Sequence, residues 1–183
     1  MKWIPNPLIS GLALGMATIP MVAHAKVYLS IDQAKKIMFG TTDMQHRPII
    51  LTKPIQEKMQ QASSVTHPFD SSRIWKTPNG GWFIVDEVVG KHEMITYAVG
   101  INPDGSIKQL EILEYRESYG FEVSEASWRQ QFVGKKVASP LKLNQDIQNI
   151  SGATLSSKHL TDGVKRLMGH KYEDKLVQDY KKM

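Results

Sequence analysis

The sequence contains no cysteine among its 183 residues. Disulfide bonds, thiol catalysis, iron–sulfur clusters and covalently attached c-type haem all require cysteine, so this chain has none of them. Any redox role must therefore rest on a cofactor that cysteine does not hold. The chain also lacks internal repeats and low-complexity tracts, which is typical of a single folded unit rather than an array.

Neither basic nor acidic residues form a continuous tract in the sequence. The net charge is +5, but the basic residues cluster only as pairs, at Lys135-Lys136 and Lys181-Lys182, with acidic residues interleaved elsewhere. A basic stripe interleaved with aromatic residues is the usual signature of nucleic-acid binding, and it is missing here. We therefore expect no nucleic-acid partner.

The histidines are not spaced as metal ligands. His46 and His67 lie far apart, without a carboxylate or a second histidine at ligand spacing, so we expect surface residues and no metal site. Four further ionisable residues fall at strand edges or in a loop, where we expect solvated charge rather than acid–base chemistry: Asp86, Glu87, His92 and Glu93.

No apolar run reaches the roughly 20 residues that a membrane-spanning helix needs. The run from Leu8 to Ala23 is broken by Pro20, preceded by Lys2 and followed by the small-x-small sequence Ala23-His24-Ala25. This organisation predicts a secretory signal peptide at residues 1–25 and an exported domain at residues 26–183. The predicted location is the periplasm, and an uncleaved membrane anchor is the alternative.

The hydrophobic pattern predicts a single α+β domain, in which a central antiparallel meander is flanked by helices. Turn sequences at 77–81, 90–93 and 102–105 separate three predicted strands, at 82–89, 94–101 and 106–115. Helices are predicted at 30–40, 53–61, 124–132, 155–168 and 172–180, and short extended segments at 49–51 and 137–143.

The segment 150–157, Ile-Ser-Gly-Ala-Thr-Leu-Ser-Ser, has the clearest chemical character. It opens the predicted helix whose apolar face is Leu160, Val164, Leu167 and Met168. Free N–H groups and the helix dipole favour a phosphate at such a start. The hydroxyl of Thr154 or Ser156 would then serve as a hydrogen-bond donor, a helix cap or the site of a phosphoester. Ordinary N-capping by these hydroxyls is the plainer interpretation.

A second segment of interest follows the third strand. Gly120 comes directly after it, with Ser118 and aromatic residues beside it. Glycine in this position is typical of a tight bend where the backbone closely approaches another group, although a plain turn would have the same sequence.

The motif Ser-Gly-Ala-Thr followed by Leu-Ser-Ser resembles the signature of the FMN-binding domain family. That family includes the periplasmic flavoprotein subunits of the sodium-pumping NADH:quinone reductase and of the Rnf electron-transport complexes. The resemblance extends to Glu117-Ser118-Tyr119-Gly120, followed in the family's order by Trp128, Phe132 and Gly134-Lys135. Two positions depart from the family: Ser118 replaces a threonine and Tyr119 a proline.

The resemblance implies a flavoprotein that carries FMN and acts in electron transfer, as a redox subunit rather than a stand-alone catalyst. A flavin transferase would link the FMN phosphate to a hydroxyl of the motif, with Thr154 preferred over Ser156. The implied cofactor-binding residues are Ser151, Gly152, Ala153, Thr154, Leu155 and Ser156, with Glu117, Ser118 and Gly120 near the flavin ring.

The implied partners are the transferase and a membrane or periplasmic redox protein. Many family members have an aspartate where this chain has Gln148, three residues before the motif serine. The alternative function is a cofactor-free periplasmic binding or assembly module, in which the motif only starts a capped helix.

Overall fold

The computed structural model describes residues 25–169. The predicted signal peptide, apart from Ala25, and the predicted helix at 172–180 lie outside these residues. In this described part of the chain, six strands form one antiparallel sheet in the order β1-β6-β5-β4-β3-β2. The strands are β1 (Lys26–Val27), β2 (Gln45–His46), β3 (Ile74–Lys76), β4 (Trp82–Val89), β5 (Met94–Ile101) and β6 (Ile107–Tyr115).

Within residues 25–169, four α-helices accompany the sheet, so the predicted α+β class is confirmed. They are α1 (Ile31–Phe39), α2 (Lys53–Ala62), α3 (Ala126–Arg129) and α4 (Thr154–Met168). Two 3-10 helices, Phe121–Ser124 and Gln130–Phe132, flank α3. No helix within residues 25–169 has both the length and the apolar character needed to cross a membrane.

The predicted meander is also confirmed. Strands β4 and β5 pair along their whole length, from Trp82 opposite Ile101 to Val89 opposite Met94. The Asn102–Gly105 turn is closed by a 2.9 Å hydrogen bond from the Gly105 amide to the Asn102 carbonyl. Strong turn residues at short spacing fix which strands are neighbours, and this is why the sequence predicted the centre of the sheet well.

The sheet is covered on both faces. Side chains alternate along β4, so that Ile84 and Val88 join the larger core beneath α4, while Phe83 and Val85 join a smaller core beneath α1. Apolar residues on both faces give the central strands their nearly continuous hydrophobic sequence. The larger core holds α4, and therefore the start of the motif helix, in a fixed place against the sheet.

Helix α1 has the predicted start and end. The Ser30 hydroxyl accepts from the Gln33 amide at 3.2 Å, the Ser30 amide donates to the Gln33 side chain at 2.8 Å, and Gly40 ends the helix at φ 75°. The sequence predicts an apolar face of Ala34, Ile37 and Met38, and this is only partly correct, because Ala34 and Met38 are buried but Ile37 is 54% exposed. Lys35 is buried there instead, and its ammonium group lies 4.3 Å from the centre of the Trp75 ring.

Three other predictions are wrong. Residues 49–51 form no strand, since the edge of the sheet is completed by Gln45–His46. Residues 124–132 form α3 between two 3-10 helices rather than one helix, because the Ser124 hydroxyl donates to the Phe121 carbonyl at 2.6 Å and leaves α3 uncapped. Residues 137–143 are not extended: the Asp146 carboxylate accepts the amides of Leu141 and Lys142, which folds the chain into turns.

The expectation that Asp86 is solvated is wrong as well. This residue is 2% exposed. Its carboxylate accepts the Tyr97 hydroxyl at 2.6 Å and the Arg166 guanidinium at 2.7 and 2.9 Å. Burial raises the pKa of Asp86, while the ion pair with Arg166 and the Tyr97 hydroxyl favour the charged form. The pair ties the C-terminal half of α4 to β4 through two buried side chains.

Candidate functional site

Helix α4 begins without a hydroxyl cap. Its N-cap residue is Ala153, which has no side-chain capping bond. The first helical hydrogen bond runs from the Ser157 amide to the Ala153 carbonyl at 2.9 Å. The amides of Thr154, Leu155 and Ser156 precede it and have no intrahelical acceptor. The interpretation of the motif hydroxyls as N-caps is therefore wrong, and these three amides have no capping side chain.

The electrostatics of this first turn suit an anion. It contains no acidic side chain of its own, so no residue within the turn offsets the positive end of the helix dipole. Gly152, immediately before the N-cap residue, is exposed and has a φ of 84°. A left-handed residue with no side chain at this point leaves the helix entrance open to a ligand.

The motif hydroxyls lie in different environments. Ser156 and Ser157 are buried, and the Ser157 hydroxyl donates to the Ala153 carbonyl at 3.0 Å. Ser151 and Thr154 are exposed. The Thr154 hydroxyl oxygen accepts from the Asn149 side-chain amide at 3.1 Å, which leaves its own proton uncommitted in this contact.

Ser156 belongs to a short chain of hydrogen bonds. The Tyr115 hydroxyl donates to the Tyr119 carbonyl at 2.5 Å, so the contact of 3.1 Å between Tyr115 and Ser156 needs the serine as donor. Burial raises the pKa of Tyr115, the hydrogen bond with Ser156 lowers it, and the charges of Glu117 and Glu122 raise it further. Tyr115 therefore stays protonated at neutral pH and fixes the position of the 119–120 backbone.

The close approach predicted at Gly120 is confirmed, and its partner is the motif helix. Gly120 has a φ of 84°. A Cβ atom built on it would lie 2.8 Å from the Tyr115 hydroxyl, 3.0 Å from Ala153 Cβ and 3.2 Å from Ser156 Oγ. Both the backbone angle and the space exclude a larger residue. The 117–120 loop and the start of α4, which lie far apart in the sequence, thus form one surface.

Glu117 points to the β4–β5 hairpin loop rather than to the motif. Its Oε1 atom accepts the amides of Lys91, His92 (2.5 Å) and Glu93 (2.9 Å). Burial works to raise the pKa of Glu117, but these amide bonds outweigh it and lower the pKa below its ordinary value. Ser118, its neighbour, is exposed.

The motif helix holds the same hairpin loop from its other side. His159 Nδ1 lies 2.7 Å from the Val89 carbonyl and 2.8 Å from the Gly90 carbonyl, so it carries the proton and donates. Of the two basic residues on this part of α4, His159 is thus committed to the hairpin, whereas Lys158 is exposed.

A cleft of about 470 Å³ lies beside the motif and includes Gln148, Asn149 and Ile150 in its wall. The Trp128 indole N–H donates to the Gln148 carbonyl at 2.7 Å, and the Gln148 amide donates to the Gln131 side chain at 2.7 Å. Both contacts use the Gln148 backbone. Its side chain, which stands where many family members have aspartate, is exposed.

Exposed apolar side chains stand around the junction between Gly120 and the motif. Tyr119 is 79% exposed, Phe121 53% and Leu155 43%. Tyr119 and Phe121 flank Gly120 in the chain and Leu155 lies in the first turn of α4, and exposed apolar side chains beside polar groups suit a flat, partly apolar ligand. Within residues 25–169, no three histidine or acidic side chains are grouped in a way that would hold a metal ion.

Sequence reasoning missed three residues of this site: Tyr115, Glu122 and Asn149. Tyr115 has the pattern of a core strand residue, and only its contact with Ser156 distinguishes it. Asn149 lies five residues before Thr154, outside the reach of a normal cap, and Glu122 has the appearance of an ordinary surface charge. No local signal in the sequence identifies any of them.

Comparison with known families gives one match, and it covers the C-terminal part of the described chain. Residues 90–169 match the family model described as FMN-binding domain. The matched region contains β5, β6, the 117–120 loop, the cleft and all of α4. No curated protein matches the chain.

Proposed function

Residues 90–169 belong to the FMN-binding domain family, whose cofactor is FMN, and we propose on that premise that the chain holds the flavin at the start of α4 and uses it to transfer electrons. The observation that carries the proposal is the uncapped first turn of α4. Its three amides without helical acceptors, its lack of acidic side chains and its exposed Gly152 suit the phosphate of FMN.

The phosphate is linked to a motif hydroxyl by a flavin transferase. Exposure supports Thr154 as the attachment residue, because its oxygen is reachable from solvent and its proton is uncommitted. Ser156 is the alternative. Its hydroxyl is buried and donates to Tyr115, so attachment there requires this contact to break and the first turn to open.

The exposed apolar residues near Gly120 would hold the ring of the flavin. Tyr119, Phe121 and Leu155 offer it apolar and aromatic surface within reach of the motif. FMN supplies the redox chemistry, while the protein supplies binding, orientation and exclusion of water from one ring face. The rigid contact between Gly120 and Ala153 holds the two sides of the site together.

The proposed setting is the periplasm. A signal peptide at residues 1–25 exports the domain, which then exchanges electrons with a membrane or periplasmic redox protein. A covalent link is advantageous there, because a cofactor lost outside the cell is not easily replaced. Cell fractionation of the full chain tests this, with the mature chain expected in the periplasmic fraction and beginning at Lys26.

Intact-mass measurement tests the attachment. Protein produced with a flavin transferase should gain the mass of an FMN phosphoester and stay yellow after denaturation, while protein produced without it should not. Thr154→Ala should remove the adduct, and Ser156→Ala should keep it. Ser151→Ala is the matched control, since it removes an exposed hydroxyl of the same motif.

Three results would change the proposal. An adduct that persists in Thr154→Ala but disappears in Ser156→Ala moves the attachment to Ser156. Colour that is lost on denaturation indicates noncovalent FMN. A wild-type protein that stays colourless with the transferase present contradicts the proposal and favours a cofactor-free periplasmic binding module.

A further inference from the structure

The segment that carries Asn149 is held in place just before it reaches the motif. The Gln148 carbonyl accepts the indole N–H of the buried Trp128 at 2.7 Å, and the Gln148 amide donates to the Gln131 side chain at 2.7 Å. Two hydrogen bonds therefore fix the residue directly before Asn149. The place of Asn149 relative to the start of α4 is set by packed structure and not by an exposed loop alone.

The two ends of the Asn149 carboxamide have different surroundings. Its Oδ1 atom is enclosed by the protein and has no donor among residues 25–169, whereas its Nδ2 atom donates to Thr154 Oγ1 at 3.1 Å. A buried acceptor without a donor destabilises a fold, and one that a native protein keeps often has a functional reason. The arrangement keeps the N–H group of Asn149 directed at the motif threonine.

This contact suits Thr154 to act as a nucleophile. Thr154 is exposed, so a phosphate from outside the chain can reach its oxygen. The N–H donor occupies one lone pair of Oγ1, which leaves the second lone pair and the hydroxyl proton available. A hydrogen bond to an oxygen that develops negative charge stabilises the charged form, so the same donor assists loss of the hydroxyl proton.

We infer that Asn149 positions and activates Thr154 for flavin attachment, an inference that rests on the function proposed above. In the attachment step, Thr154 Oγ1 forms a bond to the phosphorus of an FMN phosphoanhydride held by the flavin transferase. The phosphoanhydride bond breaks, its electron pair leaves with the departing phosphate group, and the Thr154 proton passes to a base of the transferase. The N–H group of Asn149 holds Oγ1 in place and offsets the charge on it during this transfer.

The contact itself is tested in flavin-free protein. The NMR signals of the Asn149 side-chain amide should shift in Thr154→Val, which removes the hydroxyl and keeps the shape of the side chain. The carboxamide signals of Gln145, an exposed residue of the same segment, should stay where they are. Asn149 signals that do not shift would show that the contact is absent and would overturn the inference.

The rate of attachment tests the role of the contact. Purified transferase and an FMN phosphoanhydride are added to flavin-free wild type and Asn149→Ala, and intact mass follows the adduct with time. Asn149→Ala should lower kcat about tenfold and leave the KM for the acceptor protein unchanged, because the lost hydrogen bond is one to a developing charge. Gln145→Ala is the matched control and should react at the wild-type rate.

Asn149→Asp separates hydrogen-bond donation from acceptance. The carboxylate has nearly the same shape, but it cannot donate and it repels a phosphate, so this variant should react at least as slowly as Asn149→Ala. A wild-type rate in either variant overturns the inference. A raised KM with an unchanged kcat also overturns it, since Asn149 would then contact the transferase rather than position Thr154.

Two further outcomes separate this inference from the function on which it rests. An adduct that forms on Ser156 alone overturns the role of Asn149 and leaves flavin attachment in place. A wild-type protein that gains no adduct with the transferase present overturns both the proposed function and the inference.

Discussion

The C-terminal end of helix α4 is tightly packed, whereas its N-terminal end is uncapped and partly exposed. Near its C-terminal end, Arg166 is buried in an ion pair with Asp86, and Gly163 packs so closely that an added Cβ would lie 2.5 Å from the Tyr97 hydroxyl. Near its N-terminal end, the helix has no capping side chain, and Thr154 is exposed. The buried C-terminal end anchors the helix. Because the anchor is there, the N-terminal end can keep polar groups unpaired and available to a ligand.

The largest expected effect comes from breaking the anchored end. Asp86→Ala leaves the Arg166 charge buried without its partner, so we expect the free energy of unfolding to fall by about 3–5 kcal/mol in urea denaturation. Glu114→Ala is the control. It removes an ion pair with the exposed Arg116, which should cost no more than about 1 kcal/mol. Similar losses in both variants would contradict the anchoring role.

A smaller effect separates the two hydroxyls of the open end. Ser156→Ala removes the hydrogen bond to Tyr115 and should lower the free energy of unfolding of the flavin-free protein by about 1 kcal/mol. Thr154→Ala, at an exposed position, should change it by less than about 0.5 kcal/mol. Equal losses of unfolding free energy in the two variants would mean that the exposed and the buried hydroxyl stabilise the fold to the same extent, which would contradict the difference drawn between them.

The smallest expected effect is the response of the β4–β5 hairpin loop to acidic pH. The pKa of Glu117 is lowered in the folded protein. The stabilisation that its carboxylate gives the hairpin loop is therefore fully present at pH values above the ordinary pKa of glutamate, and it is lost as the pH falls through the lowered pKa. The charge of His92, which lies on that loop, adds to the lowering. NMR shifts of the Lys91, His92 and Glu93 amides should report a single titration below the ordinary range. Glu117→Gln should abolish it; a titration that survives in this variant belongs to another group.

The sequence predicted what neighbouring residues determine and missed what distant residues determine. Turn residues at 102–105 and the capping box at Ser30 act within a few positions, so the meander and α1 could be derived. The partner of Asp86 is Arg166, on another element, and no local pattern reveals it. For the same reason, the position of Asp86 at a strand edge led to the wrong prediction that its carboxylate is solvated.

The motif shows the same limit within the site. Its helix, its glycine and its hydroxyls were recognisable, and so was the bend at Gly120. Which hydroxyl is buried depends on Tyr115, a strand residue 41 positions from Ser156. The position of Glu117 beside the flavin ring stays a prediction; what the sequence did not reveal is that its carboxylate binds the hairpin loop, because the loop presents three amides that only the folded sheet brings together.

The two outermost strands of the sheet, β1 and β2, are each two residues long. Edges this short offer little template for another chain to extend the sheet. Under the function proposed above, we therefore expect encounters with the proposed redox partner to be brief contacts between surfaces rather than shared β-structure. Such contacts would suit a carrier that must release one partner before it meets the next.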